Sequence, residues 1–122
     1  MDNLLINKTA KTPDIKFDVA SGLLEIEGRL IPENPDELFE VLFNALDAFN
    51  NNSKNVIRLF LHYYNTTSAK RLLLFFQKAD AMFQNGCKIK IVWEYEEGDD
   101  DSLRDGEDYK SLLKVPFEIK LV

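Results

Sequence analysis

The run Val56-Ile57-Arg58-Leu59-Phe60-Leu61-His62-Tyr63, followed at once by Tyr64-Asn65-Thr66-Thr67-Ser68-Ala69-Lys70, decides the fold. Apolar side chains interrupted only by Arg58 and His62 describe a strand that needs cover on both faces. Asn65 and the three hydroxyl side chains after it offer oxygen atoms to the first, otherwise unpaired N–H groups of a helix. That helix is expected over residues 66–84. Ala69, Leu72, Leu73, Phe76, Ala79 and Phe83 recur at helical spacing, Leu74 falls outside the stripe, and Gly86 supplies the stop. Beyond Cys87, the segment Lys88-Ile89-Lys90-Ile91-Val92-Trp93-Glu94-Tyr95 alternates with the period of a strand. Strand, helix and strand in immediate succession imply a parallel pair joined by a right-handed crossover, with the first of these strands central in an α/β sheet.

Toward the N-terminus, Leu4-Leu5-Ile6 reads as a brief strand, followed by a loop pinned by Pro13. Ile15-Lys16-Phe17-Asp18 and Leu23-Leu24-Glu25-Ile26-Glu27 alternate on either side of the turn Ala20-Ser21-Gly22 and form a hairpin, after which Gly28-Arg29-Leu30-Ile31-Pro32 breaks the pattern. Asn34-Pro35-Asp36-Glu37 opens a first helix, with Asn as cap, Pro at the first helical position, acids in the first turn and Glu37 placed for a capping box. It is expected to run to about residue 50, its stripe of Leu38, Leu42, Ala45 and Phe49 widened by Phe39, Val41 and Leu46. Toward the C-terminus, a third helix is expected over residues 102–114, interrupted or bent near Gly106, with Leu103, Leu112 and Leu113 as its apolar contacts. Pro116 stops it, and Phe117-Glu118-Ile119-Lys120-Leu121 alternates as a last strand. No repeat or linker intervenes, so residues 1–122 are expected to form a single α/β domain, a mixed sheet with about three helices packed against it.

A chain of 122 residues can bury roughly two-thirds of its unfolded surface around one core, which nine Phe help to fill. Fifteen Lys and Arg against 21 Asp and Glu leave a net charge of −6, which repels phosphate backbones and anionic lipid, so neither nucleic acid nor a membrane surface is an expected partner. Cys87 has no second cysteine with which to form a disulfide or a zinc site, which suits a reducing compartment. Without a signal-peptide pattern or an apolar run of ~20 residues, a soluble cytoplasmic protein is expected.

Catalytic signals are sparse. The chain has no glycine-rich phosphate loop, no metal-spaced His/Cys cluster and no Ser-x-Gly nucleophile turn, so no catalytic residue and no cofactor is expected. Carboxylates assembled from distant residues would escape this reading, which leaves a small-molecule enzyme or binding domain as an alternative. The acid run Glu96-Glu97-Gly98-Asp99-Asp100-Asp101 invites a metal reading, but an EF-hand loop begun at Asp99 would put Leu103 at its fifth position and Lys110 at its twelfth, where ligands belong. No metal site is expected; the acids suit a solvated loop that caps the next helix. His62, the only histidine, has no nearby nucleophile and reads as structural.

The junction after the central strand is the candidate site. In a parallel sheet the strand-to-helix turns share the carboxyl edge, which should gather residues 29–34, 65–68 and 95–97 into one surface. Lys70 and Arg71 follow the helix start by one turn, where the macrodipole disfavours cations; they make best sense if an anion, such as a phosphorylated Thr, occupies the turn before them. The same residues also suit a plain helix cap.

Tyr64-Asn65-Thr66-Thr67-Ser68-Ala69-Lys70, together with Ile31-Pro32-Glu33-Asn34 upstream and Pro116-Phe117 near the end, resembles the SiaC-like regulatory phosphoproteins over nearly the whole chain. The resemblance implies a STAS-like domain, similar in plan to anti-sigma-factor antagonists, that is regulated by phosphorylation of a Thr in an Asn-Thr-Ser-Ser type motif. By position that residue is Thr66. Thr67 stands where the family usually has Ser and is the alternative acceptor. The resemblance further implies a non-enzymatic member of a bacterial Ser/Thr partner switch, in which a dedicated kinase and a PP2C-type phosphatase compete over the Thr. Its unphosphorylated form would bind and regulate an effector, a diguanylate cyclase of cyclic di-GMP signalling. The partner-binding surface is expected at Glu33, Asn34, Asn65, Thr66, Thr67, Ser68 and Lys70. An anti-sigma-factor antagonist acting in transcription control is the alternative pathway.

Overall fold

The computed structural model describes residues 2–122. Strands β1 (Leu4–Ile6), β2 (Asp14–Asp18) and β3 (Leu23–Leu30) precede three alternations of helix and strand: α1 (Pro35–Asp47), β4 (Asn55–Tyr64), α2 (Thr66–Gln84), β5 (Ile89–Tyr95), α3 (Asp100–Leu112) and β6 (Phe117–Leu121). All six strands form one mixed sheet in chain order. β1, β2 and β3 pair antiparallel. From β3 to β6 the pairing is parallel, as the strand-helix-strand pattern requires.

That order decides where the core lies. Right-handed crossovers that all step the same way along a sheet place their helices on the same face. Register rows from neighbouring strands accordingly alternate between two environments. Leu24, Ile57, Ile91 and Phe117 align in one row, with Ile26, Leu59 and Trp93 in the row two residues on, and all seven are buried in one cluster with Phe39, Leu42, Leu46, Leu72, Phe75 and Phe76 of the helices. The expectation that β4 is covered on both faces is therefore corrected. Ile57, Leu59 and Leu61 enter the core, whereas Arg58, Phe60 and His62 lie on a face that no helix covers. That open face is closed by charge pairing instead: Arg58 Nε donates to Glu25 Oε2 at 2.8 Å, its Nη1 to Glu94, and its Nη2 lies 3.6 Å from Glu27.

Further differences have local causes. Gly28 does not end the strand; β3 continues to Leu30 through a register shift at Gly28, whose φ of +131° and close approach to Pro13 exclude a side chain. Gly106 neither breaks nor marks an interruption of α3; it lets the helix lie against Trp93, because an added Cβ would stand 2.6 Å from the indole Cδ1. Leu112 is exposed, and Tyr109 is the main side chain that α3 buries. On α2, Leu74 is exposed as expected, while Phe75 joins the core beside Phe76. α1 ends at Asp47, slightly before the expected position.

Candidate functional site

Three N-caps line the carboxyl edge of the parallel strands. Asn34, Asn65 and Asp99 each turn a side-chain oxygen back to the N–H three residues on, at Glu37 (3.3 Å), Ser68 (2.9 Å) and Ser102 (3.1 Å). The capping box at α1 is incomplete, since Glu37 accepts from the Asn34 side-chain amide rather than from its backbone. Electrostatically the three starts differ. α1 carries Asp36 and Glu37 in its first turn and α3 carries Asp100 and Asp101, whereas α2 has no acid there. Its first turn presents Thr66 and Thr67, both exposed, to the positive end of its dipole.

Contacts in and beside the loops expected to converge tie parts of this edge together. The Arg29 guanidinium lies over the Tyr63 ring at 5.6 Å, Arg71 of α2 pairs with Asp36 of α1, and His62 Nδ1 approaches Glu96 Oε1 at 3.1 Å. Arg71 is thus neutralised by α1. Lys70 has no carboxylate within salt-bridge distance among the described residues.

Not all predicted residues share one surface. Thr66 and Lys70 line a cleft of about 240 Å³ between α2 and α3, together with Ala69, Leu73, Asp105, Asp108 and Tyr109. Glu33 and Asn34 line a separate hollow of about 280 Å³ with Ile6, Pro32 and Leu38. There Lys11 Nζ donates to Glu33 at 2.7 Å and holds that carboxyl below the usual carboxylate range. Ser68 corrects the expected partner-facing set: it is 1% exposed, because the third helical position turns toward the sheet, and its N–H serves the Asn65 cap. Thr67 is exposed but does not line the Thr66 cleft.

The acidic wall of this cleft was not legible locally, because α3 meets α2 only through the tertiary fold. Tyr64 Oη donates to Asp105 Oδ2 at 2.6 Å, and Tyr109 Oη donates to the Ala69 carbonyl at 2.8 Å. Burial first, and then the neighbouring Asp105 carboxylate, push both phenols well above their ordinary pKa. Asp99 caps α3, Asp101 pairs with Arg104 and Glu96 with His62, so several acids of this region already have partners. No group of three His, Cys, Asp or Glu among the described residues is arranged to hold a metal ion. Burial pushes the Cys87 thiol up, away from the reactive thiolate. Among the described residues, no helix is long and apolar enough to cross a membrane.

The arrangement offers an exposed hydroxyl at a helix N-terminus with a cation one turn further along the same stripe, which suits a phosphoryl acceptor. Comparison with known proteins gives the family of the whole chain. The model of the SiaC family of regulatory phosphoproteins matches residues 6–122. An uncharacterised protein of Pseudomonas aeruginosa (strain UCBPP-PA14) is 27% identical over 122 residues, covering 98% of this chain and 97% of that protein. The crystal structure of apo-SiaC from Pseudomonas aeruginosa superposes with a TM-score of 0.86 at 27% identity, over 98% of this chain and 99% of that one. A chain of the crystal structure of the diguanylate cyclase SiaD in complex with its activator SiaC, from the same organism, gives a TM-score of 0.90 at 26% identity, over 98% and 99%.

Proposed function

Because this chain belongs to the SiaC family of regulatory phosphoproteins, we propose that it is the phosphorylation-controlled adaptor of a partner switch and has no catalytic activity of its own. Unphosphorylated, it binds and activates a diguanylate cyclase; a cognate kinase and a PP2C-type phosphatase set the fraction of molecules able to do so. Thr66 is the acceptor, with Thr67 as the alternative. Glu33, Asn34, Asn65, Thr66, Thr67 and Lys70, along the carboxyl edge, receive the partner.

The observation that carries this reading is the electrostatic gap at α2. Of the three helix starts on this edge, the one with exposed Thr66 lacks first-turn acids, and Lys70 behind it has no carboxylate partner among the described residues. A phosphate on Thr66 brings about 1.5 to 2 negative charges to that gap, changing the charge and shape that a partner fitted to the hydroxyl would meet. Thr66 is favoured over Thr67 because Lys70 lies four residues after it on the same helix stripe, whereas the residue four after Thr67 is Arg71, already held by Asp36.

The test is an affinity capture from native lysate with three baits: unmodified protein, Thr66→Ala, and protein phosphorylated at Thr66. A diguanylate cyclase should be recovered with the first two baits and not with the third. Recovery of the same proteins with all three would rule out phosphorylation as the switch, and recovery of a sigma-factor regulator in place of the cyclase would move the switch to transcription. Fragment-ion spectra of native protein locate the phosphate; its presence on Thr67 alone would shift the acceptor by one residue.

A further inference from the structure

We propose that phosphate on Thr66 acts by loosening α3 from α2, so that the switch is read through the position of α3 as well as through the charge itself. The inference rests on Thr66 being the acceptor and concerns what the added charge does to the fold.

The cleft that Thr66 enters has one cation and two anions on its walls. Lys70 lies on the α2 side, Asp105 and Asp108 on the α3 side. With one ammonium against two carboxylates the walls carry about −1, and a phosphate of −1.5 to −2 takes that to roughly −3. Lys70 cannot offset three anionic groups. All of these groups line the same cleft, so the repulsion acts locally and weakens as salt shortens the screening length from about 8 Å at physiological ionic strength.

α3 is the element least able to resist. α1 buries Phe39, Leu42, Ala45 and Leu46, and α2 buries Leu72, Phe75, Phe76 and Ala79, whereas α3 buries only Ser102, Gly106 and Tyr109. Two of those three contribute almost no apolar surface. The helix is held instead by three hydrogen bonds that aromatic side chains donate. Trp93 Nε1 donates to the Ser102 carbonyl at 3.0 Å, Tyr64 Oη donates to Asp105, and Tyr109 Oη donates to the Ala69 carbonyl. Two of these ties belong to residues that line the cleft, so a charge placed there strains them directly. Asp105 is both an acid of the cleft wall and the acceptor that fixes Tyr64, the last residue of β4. When α3 shifts, the neighbouring hollow lined by Tyr63, Tyr64, Asp99, Ser102 and Asp105 changes shape with it. A local charge thereby alters a wider part of the edge.

The experiment is hydrogen exchange read by mass spectrometry on protein with phosphothreonine genetically encoded at position 66, beside the unmodified protein. Peptides from residues 100–112 should exchange at least about fivefold faster in the phosphorylated form, the lower end of typical site-to-site coupling, while peptides from residues 35–47 stay unchanged. Unaltered protection of α3, or equal acceleration in every element, overturns the proposal. The double variant Asp105→Asn and Asp108→Asn should lose most of the phosphate-induced acceleration. Should that variant not fold, about 1 M salt, where the screening length is about 3 Å, serves the same purpose and should shrink the effect. An acceleration that persists undiminished through these controls refutes its electrostatic origin. Encoding the phosphate separates the two readings. Native protein lacking phosphate on Thr66 would sink the switch and this regulatory proposal with it, whereas unchanged α3 with phosphate in place would sink the coupling and leave the switch standing.

Discussion

Gly106 shows how one residue without a side chain positions an element. In an exposed helix, glycine costs about 1 kcal/mol relative to alanine, so Gly106→Ala would ordinarily stabilise α3. Here the new Cβ would meet the indole of Trp93, which is 1% exposed and packed against Tyr64, Phe76 and Tyr109. A ring so enclosed cannot give way by a rotamer change, and overpacking of this kind costs about 1–3 kcal/mol. Gly106→Ala should therefore lower stability in urea denaturation, and the emission of Trp93, the only tryptophan, should move to longer wavelength as α3 rises off it. A gain in stability would show that α3 is not seated on the indole. Thr66 is the opposite case: exposed and free of such packing, it can be replaced by Ala at little cost to the fold, which keeps its functional test interpretable.

At the scale of elements, α3 is joined to the end of β4 and to α2 by phenols whose neutral form the fold favours. Tyr64 and Tyr109 have native pKa values raised above the ordinary 10.0, through burial first and the Asp105 carboxylate second. A group with a raised native pKa contributes its full stabilisation below the unfolded pKa and loses it as pH climbs through the native value. Stability should thus be insensitive to these groups up to about pH 9 and fall progressively above about pH 10. Denaturation midpoints measured at about pH 8 and pH 11 check this, and replacing both residues by Phe should flatten the alkaline decline while lowering stability at neutral pH. An equally steep decline in the double variant would place the alkaline sensitivity elsewhere.

The whole molecule has two unlike faces. One is a packed layer of helices over the sheet, and the other is the bare sheet, where Arg58 ties β3, β4 and β5 through Glu25, Glu27 and Glu94. Glu94 is only 7% exposed although no helix covers it, because neighbouring side chains lie across the sheet. Removing the guanidinium leaves three carboxylates facing one another, one of them largely desolvated. Hydrogen bonds to charged groups are worth about 1.5–3 kcal/mol each when buried, and side-chain exposure of about a quarter at Arg58 reduces this. Arg58→Met should cost about 2 kcal/mol at neutral pH, as read from denaturant midpoints, and part of that loss should be recovered in about 1 M salt, which screens the repulsion among the three carboxylates. A loss independent of salt would assign the role of Arg58 to packing rather than charge.

The sequence by itself determined the elements and most of the candidate site. Caps, proline, glycine and hydrophobic period act over four or five residues, so Asn34-Pro35 and Asn65-Thr66 declared two helix starts, and the alternation of strand and helix placed both on one edge of a parallel sheet. The tertiary structure decided which face of β4 stayed bare. An apolar run is compatible with cover on either side, and the strand order that wound every helix onto one face is set by long-range pairing rather than by local period. It also decided that Ser68 points inward, that Arg71 is neutralised by Asp36, and that Asp105 and Asp108 face Thr66. The pairs Asp36–Arg71, Thr66–Asp105 and Thr66–Asp108 lie 35 to 42 positions apart, a separation at which spacing along the chain carries no geometric information until the sheet has folded.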